Sequence, residues 1–155
     1  MATKTIGQMR KAVQRAVKRM ETERTEMLLR VAENGLALVK SRVQQSGENA
    51  QGGRFEPYTE QYAKYGRDRQ GYQSQYVDFT RTGRMFASMQ PVVVKETATL
   101  TVVEVRPNNT ADRVKAEGQF KKRGNFMALS NEEDVIIRKD IQAWFVGILE
   151  EELGL

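Results

Sequence analysis

Two carboxylate runs, Glu132-Glu133-Asp134 and Glu150-Glu151-Glu152, are where bond-making chemistry would first be sought in this chain. Paired carboxylates serve acid–base catalysis, or hold hard cations, when their spacing gathers them around one point. Neither run has such a pattern around it. The first follows Ser130 at the head of an apolar helical stripe and reads as capping, and the second reads as a solvated end. Cysteine and histidine are both absent, which removes the usual nucleophile, the usual base near neutral pH and the ligands of structural zinc. Catalysis would have to rest on carboxylates, lysine or a lysine-activated serine. The expectation is a protein that is not an enzyme, with no catalytic, cofactor or metal site.

Charge and aromatic rings offer binding chemistry instead. The formal charge is +5 and is unevenly spread. Residues 1–20 carry Lys4, Arg10, Lys11, Arg15, Lys18 and Arg19 with no acid, whereas residues 150–155 hold only acidic charges. Arg10, Lys11, Arg15, Lys18 and Arg19 are therefore candidates to face DNA or an acidic partner, and Lys121, Lys122 and Arg123 form a second such patch. The competing reading is a solvated helix face that serves solubility. All five tyrosines, Tyr58, Tyr62, Tyr65, Tyr72 and Tyr76, fall in one segment flanked by Phe55 and Phe79 and interleaved with Arg54, Arg67 and Arg69. Tyrosine and arginine bring large contact area with a polar tip, so Phe55, the five tyrosines and Arg84 are candidates for a subunit or partner interface. Stacking on single-stranded nucleic acid, or a loop folded over its own core, are the other readings of this segment.

Elements must position these groups. A chain of 155 residues is expected to form one domain: a helical arm or helix pair over 1–46, a loop over 47–79 and an α+β core over 80–155. From Lys4 to Ser46, apolar residues from Met9 to Val43 recur at three- and four-residue steps, which predicts an amphipathic helix. Unbroken, it would be about 60 Å long, more than the ~40 Å width expected of such a domain. Either Asn34-Gly35 breaks or bends it, or part of it projects and buries its stripe against a neighbouring subunit. Glycines and Pro57 then predict an extended Tyr-rich loop with at most a short helix around Thr59–Lys64. A short helix over Thr80–Met89 is expected to stop at Pro91. Val92–Val94 and Thr99–Val105 predict a β-hairpin. Asn109 or Thr110 caps a brief helix through Ala116, Gly118 and Gly124 bracket a basic turn, and Phe126–Leu129 offers a third strand. The last helix starts at Ser130 with capping-box spacing to Glu133, presents Ile137, Ile141, Trp144, Phe145, Ile148 and Leu149, and ends at Gly154. The expected class is α+β: long N-terminal helix, Tyr-rich loop, short helix, small antiparallel sheet built on the hairpin, and a C-terminal helix packed on that sheet. No run of about twenty apolar residues and no signal-peptide order is present, so neither membrane insertion nor secretion is expected.

Three segments in order carry a resemblance. They are Phe55-Glu56-Pro57-Tyr58-Thr59-Glu60-Gln61-Tyr62-Ala63-Lys64, then Val77-Asp78-Phe79-Thr80-Arg81-Thr82-Gly83-Arg84-Met85-Phe86-Ala87-Ser88-Met89, then Gly124-Asn125-Phe126-Met127-Ala128-Leu129-Ser130-Asn131-Glu132-Glu133-Asp134. Together they resemble the tailed-phage neck and tail-completion family, the HK97 tenth-gene-product-like and phage virion morphogenesis proteins. Phe79 and Phe86 stand where that family usually has leucine, and Ala128 replaces a glycine. The resemblance covers Phe55 to the C-terminus, and the N-terminal helix fits in kind alone.

The resemblance implies a structural virion protein that forms a ring, usually a hexamer, at the head–tail neck or tail end, where it completes or terminates the tail. Its implied partners are copies of itself, neighbouring neck and tail-tube proteins, and DNA passing through the channel without sequence specificity. It implies no cofactor, and places the protein in the virion after assembly in the host cytoplasm. The alternatives are a DNA-binding accessory protein using the basic N-terminal helix, and a head-closure or adaptor subunit of the same neck.

Overall fold

The computed structural model describes residues 5–155. Helix α1 runs unbroken over Ile6–Ser46, 41 residues, or about 60 Å of helix. It opens on a capping box in which the Thr5 hydroxyl accepts from the Gln8 amide and the Gln8 side chain accepts from the Thr5 amide. It closes on Gly47, whose φ of 66° is the left-handed conformation glycine adopts without penalty. The Asn34-Gly35 pair does not break it. Gly35 is buried where α1 meets the last helix, with Leu129 and Ile137 about it, and the Asn34 amide donates to Asp140 at 3.2 Å. Packing there outweighs the ~1 kcal/mol that a glycine costs a helix interior.

The Tyr-rich segment is more ordered than the sequence suggests. Glu48 bridges to Arg54, and a π-helical turn, Tyr62–Arg67, leads into a 3-10 turn, Asp68–Gln70. Helix α2 is a single turn, Arg84–Ala87, shorter than the Thr80–Met89 expected. Strand β1 (Met89–Glu96) pairs antiparallel with β2 (Thr101–Pro107), with an irregularity between Val93 and Lys95. Pro91 sits inside β1, opposite Val105. A two-stranded sheet tolerates it, because each strand has one unpaired edge. Helix α3 (Thr110–Arg123) is capped by Asn109 and continues through Gly118, so Lys121-Lys122-Arg123 is its last turn and not a bracketed loop. Phe126–Leu129 forms a turn and adds no strand.

Helix α4 (Asn131–Leu153) begins with the expected Ser130–Glu133 capping box and ends at Gly154. It does not pack on the sheet. It lies antiparallel along α1, from Arg42–Glu133 at one end through Asn34–Asp140 to Arg15–Glu152 at the other. The hairpin packs on α1 too, and its tip is held by Arg24, which donates to the Thr97 carbonyl at 2.8 Å and to the Thr101 hydroxyl at 2.9 Å. A lone hairpin is marginal in water, so α1, with α3 against β2, is what stabilises it. The core sits at the C-terminal half of α1, where Leu36, Val39 and Val43 meet Phe55, Val77, Phe86, Met89 and Phe126.

Candidate functional site

The segment between Phe55 and Phe86 wraps one end of the core and is fixed by a buried ion pair. Arg67 and Asp78 are 2% and 5% exposed. The Arg67 Nη2 donates to both Asp78 carboxylate oxygens, at 3.1 and 3.0 Å, and to the Thr80 carbonyl at 3.1 Å. The Tyr58 hydroxyl donates to Asp78 at 3.0 Å and the Thr80 amide does so at 2.9 Å. The Arg67 guanidinium also lies 4.6 Å from the centre of the Tyr58 ring. A charge so buried is tolerable only with its partner and its hydrogen bonds in place.

Between those two Asp78 contacts the backbone is forced. Phe79 has a φ of 55°, an unfavourable conformation for so bulky a residue. Its ring is held by stacking on Phe126 at 4.5 Å and by edge contacts with Phe55 at 5.0 Å and Phe86 at 6.4 Å. Residues 80–83 then bend into α2. Gly83 lies in that bend at a φ of 70°, and nothing stands within 4 Å of where its Cβ would be. The glycine therefore serves the left-handed backbone, with open space where its Cβ would be.

The result is a cleft of about 470 Å³ between the π-helical turn, the loop before α2, and α3. Its floor is Val77, Phe79 and Met85, its wall Tyr58 and Tyr62, and its rim Arg81, Arg84, Lys122 and Arg123. Burial and the neighbouring Asp78 charge push the Tyr58 phenol up to about 12. Burial alone would raise the Asp78 carboxyl, yet hydrogen bonds from Thr80 and Gln73, with the charge of Arg67, hold it below the usual carboxylate range. Neither group exchanges a proton near neutral pH. Among the described residues, no cluster of histidine, cysteine or carboxylates is arranged to hold a metal ion.

The interface candidates separate by burial. Phe55 is core, Tyr58 and Tyr62 line the cleft, and Tyr76 is tied down by its hydroxyl bond to the Gln44 carbonyl at 3.1 Å. Tyr65, Tyr72 and Arg84 are exposed. Of the basic candidates, Arg10, Lys11, Lys18, Lys121 and Lys122 are exposed. Arg15 is paired with Glu152 at 2.8 Å, and Arg19 with Glu151 at 2.5 Å and Glu23 at 2.7 Å. The acidic end of the chain thus answers part of its basic beginning. Arg123 donates to the Glu56 carbonyl. Sequence reasoning passed over Arg67, Arg81 and Lys115 as site residues. Their only signal was basic charge inside or beside the motifs, and nothing in the spacing joins Arg67 to Asp78.

Two apolar surfaces lie outside this site. Ile6, Met9, Val13 and Val17 follow one another along one face of α1 and are 87%, 46%, 44% and 49% exposed. On α4, Phe145 and Val146 are 42% and 40% exposed beside Arg138, Ile141 and Gln142. Among the described residues no helix is long and apolar enough to cross a membrane.

Compared with known protein families, curated proteins and solved structures, the chain matches none.

Proposed function

We propose that this chain is a structural, non-enzymatic subunit of a tailed-phage particle, assembling head-to-tail into a ring at the head–tail neck or tail end. The observation that carries the reading is the exposed Ile6, Met9, Val13 and Val17 row. Fully burying such a side chain is worth about 1.5–3 kcal/mol, so a row of four left half exposed holds about 3–6 kcal/mol in reserve for a neighbour. The second surface, on α4, is unlike the first. Two unlike patches on one chain suit a heterologous contact, which closes into a ring when the rotation between copies allows. The three ordered motifs add support of a different kind: their residues hold shape, with Phe79, Phe86 and Phe126 in the aromatic cluster and Asp78 in the buried pair. The DNA-binding accessory reading is weakened because Arg15 and Arg19 are already paired within the chain.

Light scattering and negative-stain imaging of the purified chain test this. Annular particles are expected, and a Val13→Asp/Val17→Asp variant is expected to remain a monomer with an unchanged circular dichroism spectrum. A wild-type chain that stays monomeric at its highest soluble concentration, or particles whose heads and tails join normally without the gene, overturns the reading.

A further inference from the structure

The cleft beneath Arg84 has an uneven charge balance. Among the described residues no acidic side chain lines it. Two of its cations are matched, Arg67 by Asp78 and Lys115 by Asp112 at 2.9 Å. Among the described residues Arg81, Arg84, Lys122 and Arg123 have no carboxylate partner, and the buried Nε of Arg123 has no hydrogen-bond partner of any kind. Four unmatched cations around one concavity call for a ligand with several negative charges, and guanidinium forks suit phosphate oxygens in particular. The cavity is also more than a charged rim. Its apolar floor and tyrosine wall suit a flat, weakly polar group beside the anion, and its volume lies in the range of small-molecule sites. A rigid duplex cannot enter a hollow of that size, whereas one nucleotide can.

We propose that this cleft binds phosphate-bearing ligands of the nucleotide class, either a free nucleotide or one nucleotide unit of a single strand. The phosphates lie against Arg81, Arg84 and Lys122, and the base lies over the floor between Tyr58 and Phe79. The site belongs to one chain and does not depend on ring formation.

Calorimetric titration of the full-length chain with pyrophosphate, ATP, a short oligothymidylate and a glutamate-rich peptide tests it. ATP or the oligonucleotide is expected to bind at least about fivefold more tightly than pyrophosphate, the smallest gain that base–aromatic stacking supplies. Whichever of the two binds more tightly identifies the source of the phosphate. Arg84→Gln combined with Lys122→Gln is expected to weaken that binding about tenfold or more, while Lys95→Gln, on the distant hairpin, leaves it unchanged. Both altered side chains are exposed, so folding is preserved. The proposal is overturned if the glutamate-rich peptide binds as tightly as the nucleotide ligands, if none of the phosphate probes binds, or if the double variant binds like wild type.

Discussion

Replacing Asp78 by Asn keeps the shape of the side chain and removes its charge, which isolates what the buried pair contributes. The Arg67 guanidinium, 2% exposed, would then face a neutral amide while still enclosed by Tyr58 and the Thr80 carbonyl. Leaving one partner of a buried pair uncompensated costs about 3–5 kcal/mol. For a chain of this length each kcal/mol moves the midpoint of thermal unfolding by about 2–4 °C, so Asp78→Asn is expected to lower it by about 6–20 °C. Urea titration gives the same comparison isothermally. Glu151→Gln is the control: it removes an exposed partner of Arg19 and is expected to leave the unfolding midpoint nearly unchanged. Removing both charges, as Arg67→Met/Asp78→Leu, is expected to recover much of the loss. The sign with pH follows from the depressed Asp78 carboxyl. Its contribution is complete above the unfolded carboxylate range, near pH ~4, and is lost as pH falls through the lower folded value. Wild type should therefore approach the variant's stability in acid. If Asp78→Asn costs no more than Glu151→Gln at neutral pH, the reasoning that the pair organises this segment fails.

Other substitutions report on the helix ends and crossings. Gly35→Ala places a methyl at 3.7 Å from Leu129 and 3.8 Å from Ile137, ordinary contact distances, so a gain of about 0.5–1 kcal/mol in urea is expected from helix propensity. Gly47→Ala meets the Tyr76 ring at 2.7 Å and must keep a φ of 66°, so a loss of about 2–4 kcal/mol is expected, read as a lower urea midpoint.

Periodicity made the two long helices legible because each has end signals as well as recurring apolar residues. Ser130 and Gly154 cap α4 as expected, and α1 is bounded by Thr5 and Gly47, whose residue types suit its two ends. The β-branched hairpin was legible for the same local reason, although it begins at Met89 and Thr101, outside the most strongly β-branched residues on one side and inside them on the other. The partner of α4 was not legible. Ile137, Ile141, Trp144, Phe145, Ile148 and Leu149 recur as a stripe, but Ile136 and Val146 lie off it, and a stripe does not say whether a sheet or a helix receives it. Helix α3 outran the expectation because Phe120 stacks on Phe126 at 4.7 Å, a tertiary contact that offsets Gly118 and has no local signature. Of the candidate site, the motif residues were visible as a group, but the cleft arises from Phe79 at a positive φ and from a pair eleven positions apart, 67 to 78. Neither feature has a spacing that names it.

Helix α1 meets the core near Leu36–Val43 and, among the described residues, is paired with α4 beyond the hairpin tip at Arg24, where Ala12 and Ala16 are buried and Arg15 and Arg19 bond to Glu152 and Glu151. Two helices paired along their length and joined to the core at one end act as a single stiff lever. From Leu36 to Ile6 is about 45 Å, so tilting the pair by about 10° at the core carries Ile6 through about 8 Å, while residues near the fulcrum hardly shift. Modest shifts at the core would thus be magnified at Ile6 and Met9, at the exposed end of the pair.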